Sequence, residues 1–220
     1  MPKALIVHGG WDGHTPTESA HVFAPLLRDA GYDVELRETL DAYLDADLMA
    51  SLDLIVPIWT MGEISKEQWK ALHDTVHAGC GLAGFHGGII DSFRNNSGYQ
   101  FMTGGQFVGH PGNAEPTFDV YTVDRDHAIT AGIDRFTLPH TEQYYMHVDP
   151  GVHVLMASRI EHGLGDTSTY PVGVEMPFAW TRAWGKGKVF VAAWGHTDAD
   201  FDVPQAKEVV LRGMKWATRG

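Results

Sequence analysis

The chain has 220 residues, of which 28 are acidic and 16 basic, so its formal net charge is −12, and 44% of its residues are hydrophobic. This composition is typical of a globular protein, and the length predicts one domain over residues 1–220. The acidic balance argues against a nucleic-acid partner, because phosphate binding requires a basic face, and no apolar run is long enough to span a membrane.

Two features predict a cytoplasmic location. The apolar stretch Ala4–Val7 has only four residues, which is too short for the central segment of a secretory signal peptide. Cys80 is the single cysteine, so the chain cannot form an internal disulfide. A reducing compartment is therefore expected.

Short apolar runs and helix signals alternate over the first 90 residues. The predicted strands are Lys3–Val7, Val34–Leu36, Leu52–Trp59 and Leu82–Phe85. The predicted helices cover about 16–30, with Thr15 as the N-cap, and about 65–77, beginning at the Ser65–Gln68 segment. This alternation predicts an α/β fold with a mostly parallel sheet and helices on both faces.

The middle of the chain, residues 91–150, has a different pattern. It is rich in turn residues and contains one alternating stretch, 117–123, which predicts loops plus an antiparallel or edge extension of the sheet. Later strands are predicted at Val152–Ser158, Val172–Trp180 and Lys188–Ala193, followed by a helix over Pro204–Thr218. The acidic run Asp198, Asp200 and Asp202 is interpreted as a solvated approach to that helix.

Histidine stands beside glycine after three of the predicted strands, in the segments His8–Gly10, His86–Gly88 and Gly195–His196. Ligands of open α/β sheets bind beyond the carboxyl ends of the strands, so these histidines can converge on one point. Imidazoles together with a carboxylate such as Glu142 suit zinc or another divalent transition metal. Loop structure is the better explanation of any single His–Gly pair, and it is their common location at strand ends that keeps the metal-site interpretation open.

The segment Gly84–Gly88 (GFHGG) has the pattern of a nucleophile elbow, a sharp strand-to-helix turn. Elbow hydrolases place serine at its centre and related amidotransferases place cysteine, whereas this chain has His86. A histidine there does not supply the nucleophile of a Ser–His or Cys–His pair. The pattern therefore argues against amidase or protease chemistry, and an amidohydrolase using Cys80 or a serine is the weakest functional hypothesis.

Five motifs, in their order along the chain, resemble the ThuA-like family, which is linked to trehalose utilisation. They are Gly84–Gly88, Gly104–Pro111, Glu142–Tyr145, Ala179–Arg182 and Gly185–His196. The resemblance implies a flavodoxin-like, class I glutamine-amidotransferase-like fold that lacks the catalytic cysteine. It also implies a sugar-related role and a divalent metal, with zinc as the expected ion.

The resemblance also assigns metal ligands by position. His86 corresponds to the elbow histidine, Glu142 to the acidic residue of the E-x-Y-Y segment, and His196 to the histidine after the last parallel strand. His8, in the variable first loop, is the fourth expected ligand. Family members often carry two acidic residues where this chain has Thr141 and Glu142, which leaves one carboxylate.

Other polar residues are expected to act on the substrate. His110, in the His-Pro motif, or His14 is the expected general acid or base, because histidine titrates near working pH. Asp12 or Tyr144 is expected to orient a sugar hydroxyl. Together these residues form the predicted catalytic group.

The leading hypothesis is a metal-dependent enzyme of carbohydrate catabolism that acts on a small sugar or glycoside, with a keto-sugar as one candidate. The metal would act as a Lewis acid or activate water, and hydrolysis, isomerisation and elimination all stay open. The alternative is a non-catalytic sugar-binding or regulatory module on a degenerate amidotransferase scaffold. A small sugar is the expected partner, and aromatic residues such as Trp216 are compatible with a homo-oligomer.

Overall fold

The computed structural model describes residues 1–161 and 172–220. The strands are β1 (Lys3–Gly10), β2 (Asp33–Arg37), β3 (Leu54–Thr60), β4 (Gly81–Phe85), β5 (Gly105–Gly109), β6 (Phe118–Thr122), β7 (Arg135–Leu138), β8 (Tyr145–Val148), β9 (His153–Ile160), β10 (Val174–Trp184) and β11 (Gly187–Ala192). The helices are α1 (Pro16–Asp29), α2 (Ala46–Ser51), α3 (Lys66–His77), α4 (Gly87–Ile90), α5 (Ser97–Thr103) and α6 (Pro204–Ala217).

The main sheet has nine strands in the order β2-β1-β3-β4-β11-β10-β9-β6-β7. The first five strands of this order are parallel, and the other four continue the sheet in antiparallel pairings. Strands β5 and β8 form a separate two-stranded antiparallel sheet. The flavodoxin-like α/β class is confirmed, and the middle of the chain supplies the antiparallel extension.

Helices cover both faces of the parallel strands, as the alternating pattern predicts. Helices α1 and α6 pack together on one face, while α5 contacts both α3 and α4 on the other face. In α1 the buried side chains recur at helical spacing, and they include Ala20, Phe23, Ala24 and Leu27. Each large apolar side chain buried in this way stabilises the fold by about 1.5–3 kcal/mol.

The helix starts only partly follow the sequence signals. Ser65 and Gln68 form the reciprocal hydrogen bonds of a capping box at the start of α3. Thr15 occupies the N-cap position of α1, but its hydroxyl makes no capping hydrogen bond. It accepts a hydrogen bond from the backbone N–H of Asp198 instead, at 2.9 Å, so it ties two loops together.

The central strands are buried on both faces, which is the usual state of a covered parallel sheet. Residues Ala4–Val7 of β1 and Leu54–Val56 of β3 are fully buried. Strand β1 continues to Gly10, three residues beyond its predicted end, and this extension matters for His8. Within residues 1–161 and 172–220, no helix combines the length and the apolar character needed to cross a membrane.

Candidate metal centre

Five polar side chains meet at the carboxyl edge of the parallel strands. Three of them follow parallel strands directly: His14 lies in a short 3₁₀ turn after β1, His86 after β4 and His196 after β11. The other two come from segments flanking the two-stranded sheet, with His110 after β5 and Glu142 before β8. The crevice beyond the strand ends is thus lined by a cluster of four histidines and one carboxylate.

The four imidazole rings direct their Nε2 atoms at the carboxylate of Glu142. His14 Nε2 and His86 Nε2 each lie 3.6 Å from Glu142 Oε2. His110 Nε2 and His196 Nε2 each lie 3.7 Å from Glu142 Oε1. These separations exceed the length of a good hydrogen bond. They are close to the roughly 3.4 Å between two ligand atoms bound at about 2.0–2.1 Å to a tetrahedral zinc ion.

Several polar atoms of this cluster are buried without a hydrogen-bond partner among the described residues. They include Nδ1 and Nε2 of His86 and Oε2 of Glu142. A buried polar atom left unpaired costs about 1–3 kcal/mol, so native structures rarely leave one without a partner. A cation between the rings and the carboxylate would satisfy the facing atoms. Of the described residues, His14, His86 and Glu142 offer ligand atoms within 4.8 Å of one another.

The protonation states also suit a cation. Burial lowers the pKa of His86 well below its ordinary value, and the neighbouring histidines lower it further. Burial lowers the pKa of His196 as well, against the opposing effect of Glu142. Burial alone would raise the pKa of Glu142, but His14, His196 and His110 outweigh it and hold that pKa below its ordinary value. The lowered pKa values favour neutral rings at His86 and His196 and an ionised carboxylate at Glu142, the states that metal binding requires.

The elbow at His86 has the conformation that the sequence pattern predicts. His86 joins β4 to α4 with a positive φ of 47°, which non-glycine residues seldom adopt. Its backbone N–H donates to the carbonyl of Ala192 at the end of β11, 2.7 Å away. Gly87 follows directly, and a Cβ there would lie 2.6 Å from His14 Nδ1. The glycine is therefore needed for His14 to approach the elbow.

Contacts behind the cluster orient two of the rings. His14 Nδ1 lies 2.9 Å from Thr60 Oγ1, at the end of β3, which leaves Nε2 directed at Glu142. Such a hydrogen bond on the far ring nitrogen is the usual way in which proteins fix a metal-binding histidine. The His86 ring stacks on Tyr144, with 3.8 Å between ring centroids. Tyr144 is almost fully buried, so it acts as packing for His86 in this structure.

A buried carboxylate joins the loops that carry the cluster. Asp200 Oδ2 accepts hydrogen bonds from the backbone N–H groups of Gly195 and His196, at 3.0 and 2.9 Å. The same oxygen accepts from the hydroxyl of Thr141, the neighbour of Glu142, at 3.0 Å. The interpretation of Asp200 as part of a solvated run is therefore wrong, because its side chain is buried and joins the segments that carry Glu142 and His196.

The structure does not bring His8 into the cluster. Because β1 runs on to Gly10, His8 is a strand residue rather than a loop residue. Its Nδ1 atom lies 3.4 Å from the hydroxyl oxygen of Thr17, at the start of α1. His14, predicted as a general acid or base, faces Glu142 in the cluster instead. Asp12 is exposed in the turn that carries His14, outside the group of facing atoms.

The cluster opens to solvent on one side. The side chain of His86 is 1% exposed, whereas those of His196 and His110 are 18% and 35% exposed. Trp11, which packs against His14 with 4.7 Å between ring centroids, is also exposed near this edge. The open side is therefore lined by His110 and His196, while the buried side is formed by His14, His86 and Glu142.

Cys80 lies away from this edge. It immediately precedes β4 and is fully buried, whereas the cluster lies beyond the carboxyl end of that strand. Burial raises the pKa of its thiol to about 12, so the thiolate that a nucleophile requires is scarce at neutral pH. The structure provides no support for the hypothesis of a Cys80 amidohydrolase.

Comparisons with solved structures agree on the fold. A ThuA-like protein from Bacteroides uniformis has a TM-score of 0.79 and 17% identity, with 98% of this chain and 91% of that chain covered. A ThuA-like protein from Parabacteroides merdae has a TM-score of 0.76 and 16% identity, with 99% and 90% covered. A cytoplasmic protein from Salmonella typhimurium has a TM-score of 0.69 and 13% identity, with 100% of both chains covered.

No curated protein matches the sequence. The family model described as trehalose utilisation matches residues 3–217, and this range includes all five motifs and the whole candidate centre. With that match over nearly the entire length, the chain belongs to the ThuA family, which indicates a role in trehalose utilisation or carbohydrate metabolism.

Proposed function

We propose that this protein is a metal-dependent enzyme of carbohydrate catabolism that acts on a small sugar or glycoside, with a keto-sugar as one candidate. The observation that carries the proposal is the convergence of four Nε2 atoms on one carboxylate, within 3.7 Å. A buried group of this kind has no evident structural purpose without a cation, because its polar atoms do not satisfy one another.

The donor set favours zinc. Imidazole nitrogens with one carboxylate suit zinc and related transition metals, whereas magnesium and calcium prefer oxygen ligands. His14, His86 and Glu142 would hold the ion on the buried side, and His196 would complete the site. When bound, the metal would polarise a substrate carbonyl or hydroxyl, or lower the pKa of a water molecule.

The remaining chemistry depends on residues of the chain at the open side. His110 is the most exposed of the four histidines, and its ring packs against Phe107 with 5.8 Å between centroids. We therefore propose that His110 exchanges a proton with the substrate through its Nε2 atom. Asp12, exposed in the neighbouring turn, would accept a hydrogen bond from a sugar hydroxyl. We place this activity in the cytoplasm.

Elemental analysis of the purified, untagged protein tests the proposal. We expect about one zinc, manganese or similar ion per chain, and we expect its loss in the His86→Ala, His196→Ala double variant. His8→Ala is the matched control, since His8 contacts Thr17 rather than the cluster, and it should keep the ion. Absence of metal from the wild-type protein, even after reconstitution, would refute the proposal.

A second candidate is a non-catalytic sugar-binding module. The observation that favours it is the elbow, which carries His86 where elbow enzymes carry a nucleophile. Turnover separates the two candidates. Stabilisation of the metal-loaded protein by a sugar, without any product, would support the binding module, whereas product formed by the wild-type protein and not by the double variant would support the enzyme.

A further inference from the structure

Trp11 is a large aromatic residue exposed at the edge of the candidate metal centre. Its surface is 46% exposed, although its ring centroid lies only 4.7 Å from that of His14. The His14 ring in turn lies 5.1 Å from the ring of His196, which faces the open side of the cluster. We propose that Trp11 is a stacking platform for a pyranose ring of the substrate, an inference that rests on the proposed function.

The position of the indole is fixed from several sides. The backbone N–H of Trp11 donates to the carbonyl of Thr60 at the end of β3, 3.3 Å away. Gly13 packs so closely against the indole that a Cβ there would lie 2.5 Å from its ring. The His14 ring meets it at an interplanar angle of 66°. A side chain held in this way presents its exposed surface with little loss of conformational entropy on binding.

The chemistry of this edge suits a sugar better than an apolar ligand. An indole offers a flat, electron-rich face to the C–H groups of a pyranose ring, while its surroundings must bind hydroxyl groups. Asp12 follows Trp11 directly and is exposed, and His196 of the cluster lies on the other side of His14. A sugar stacked on Trp11 would therefore have an apolar contact on one face and polar groups at its border. The His14 ring would lie between this sugar and His196.

A panel of sugars and variants tests this inference. The zinc-loaded wild-type protein, Trp11→Phe, Trp11→Ala and the control Phe101→Ala are titrated with trehalose, glucose and methyl glucoside, with binding followed by saturation-transfer NMR. Phe101 is 60% exposed in α5 and has no contact with the cluster rings among the described residues. We expect saturable binding that weakens about tenfold in Trp11→Ala, returns largely in Trp11→Phe and is unchanged in Phe101→Ala.

Metal content, measured in the same samples, separates this inference from the proposed function. Normal metal content with equal sugar affinity in wild type and Trp11→Ala would overturn the platform and leave the metal centre standing. Absence of saturable sugar binding by the wild-type protein would overturn it too, as would a concentration-dependent dimer that Trp11→Ala abolishes. A wild-type protein that binds sugar through Trp11 but binds no metal would support the platform and refute the metal-dependent function.

Discussion

The parallel half of the main sheet and the two-stranded β5–β8 sheet contribute to the candidate centre in different ways. The parallel half supplies His14, His86 and His196, all in turns that follow strands β1, β4 and β11. The two-stranded sheet supplies Glu142 and His110 from its flanking segments. Parallel strands bring their carboxyl ends to one edge by their topology, whereas β5 and β8 reach this edge only by packing against the rest of the fold.

That packing is visible in the core. Strand β5 contacts α4 and α5, and β8 contacts β10. Gly105, the first residue of β5, lies so close to Trp180 of β10 that a Cβ would be 2.7 Å from its ring. The indole N–H of Trp180 donates to the carbonyl of Thr103, just before β5, at 2.8 Å. The parallel half thus supplies three imidazole rings, and the packed two-stranded sheet adds the carboxylate that faces them.

The largest expected effect comes from removing that carboxylate. In Glu142→Gln the four rings keep their positions but lose the negative charge that they surround, so we expect metal content to fall from about one ion per chain to nearly zero. Elemental analysis after dialysis measures this. Glu115→Gln is the matched control, because Glu115 is exposed in the same part of the chain. Full metal content in Glu142→Gln would show that the histidines suffice.

A smaller effect is expected from loosening the connection between the two regions. Asp200→Asn weakens the shared acceptor for His196 and Thr141, so we expect metal affinity to fall about 10- to 100-fold while the fold is retained. Competition with a chelator of known affinity measures the change. Asp198→Asn is the control, since Asp198 joins the network through its backbone N–H, which the substitution preserves. Unchanged affinity in Asp200→Asn would contradict this positioning role.

The burial of His86 predicts a pH dependence in the metal-free protein. The pKa of His86 is lowered in the folded state, so below its ordinary value of 6.5 the unfolded chain binds a proton that the folded chain does not. Stability from this group is therefore complete above about pH 6.5 and falls with decreasing pH, by up to about 1.4 kcal/mol per pH unit. Urea unfolding at several pH values between about 5 and 7, a range chosen around the ordinary histidine pKa, measures how steeply stability changes with pH.

His86→Gln is the matched variant for this measurement. It removes one titrating group, so its stability should decline less steeply over the same pH range than that of the wild-type protein. Glu142, whose pKa is also lowered, changes stability in the same direction but only at lower pH. Identical slopes in the two proteins would mean that His86 has the same pKa in the folded and unfolded states.

The smallest effect is expected at Cys80, which precedes β4 at the end of that strand opposite the candidate centre. Cys80→Ala should leave metal content and turnover unchanged and cost about 1 kcal/mol of stability, because it removes a small buried side chain. Activity assays and urea unfolding together check this expectation. Loss of activity in this variant, or on thiol alkylation of the wild-type protein, would restore the amidohydrolase hypothesis.

Much of the parallel half could be predicted from local patterns. Continuous apolar runs, glycine breaks and the Ser65 capping segment indicated the four strands through Phe85 and helices α1 and α3, but not the short helix α2, and the elbow pattern located His86. The two-stranded sheet could not be predicted in this way. Strand β8 has only four residues and pairs with a strand that ends 36 positions earlier in the chain, so its formation depends on packing rather than on local preference.

The sequence alone determined the fold class and the positions of His86 and His196 at strand ends, because apolar runs, glycine turns and the elbow are local signals. In a parallel sheet the carboxyl ends of the strands lie at the same edge, so these local signals also place the two histidines at that edge. Only the tertiary structure decided that His14 rather than His8 faces Glu142, since this depends on where β1 ends. It likewise decided the burial of Asp200, whose partner Thr141 is 59 residues away. No local pattern encodes a contact of that separation, because it forms only when the packed elements fix both ends.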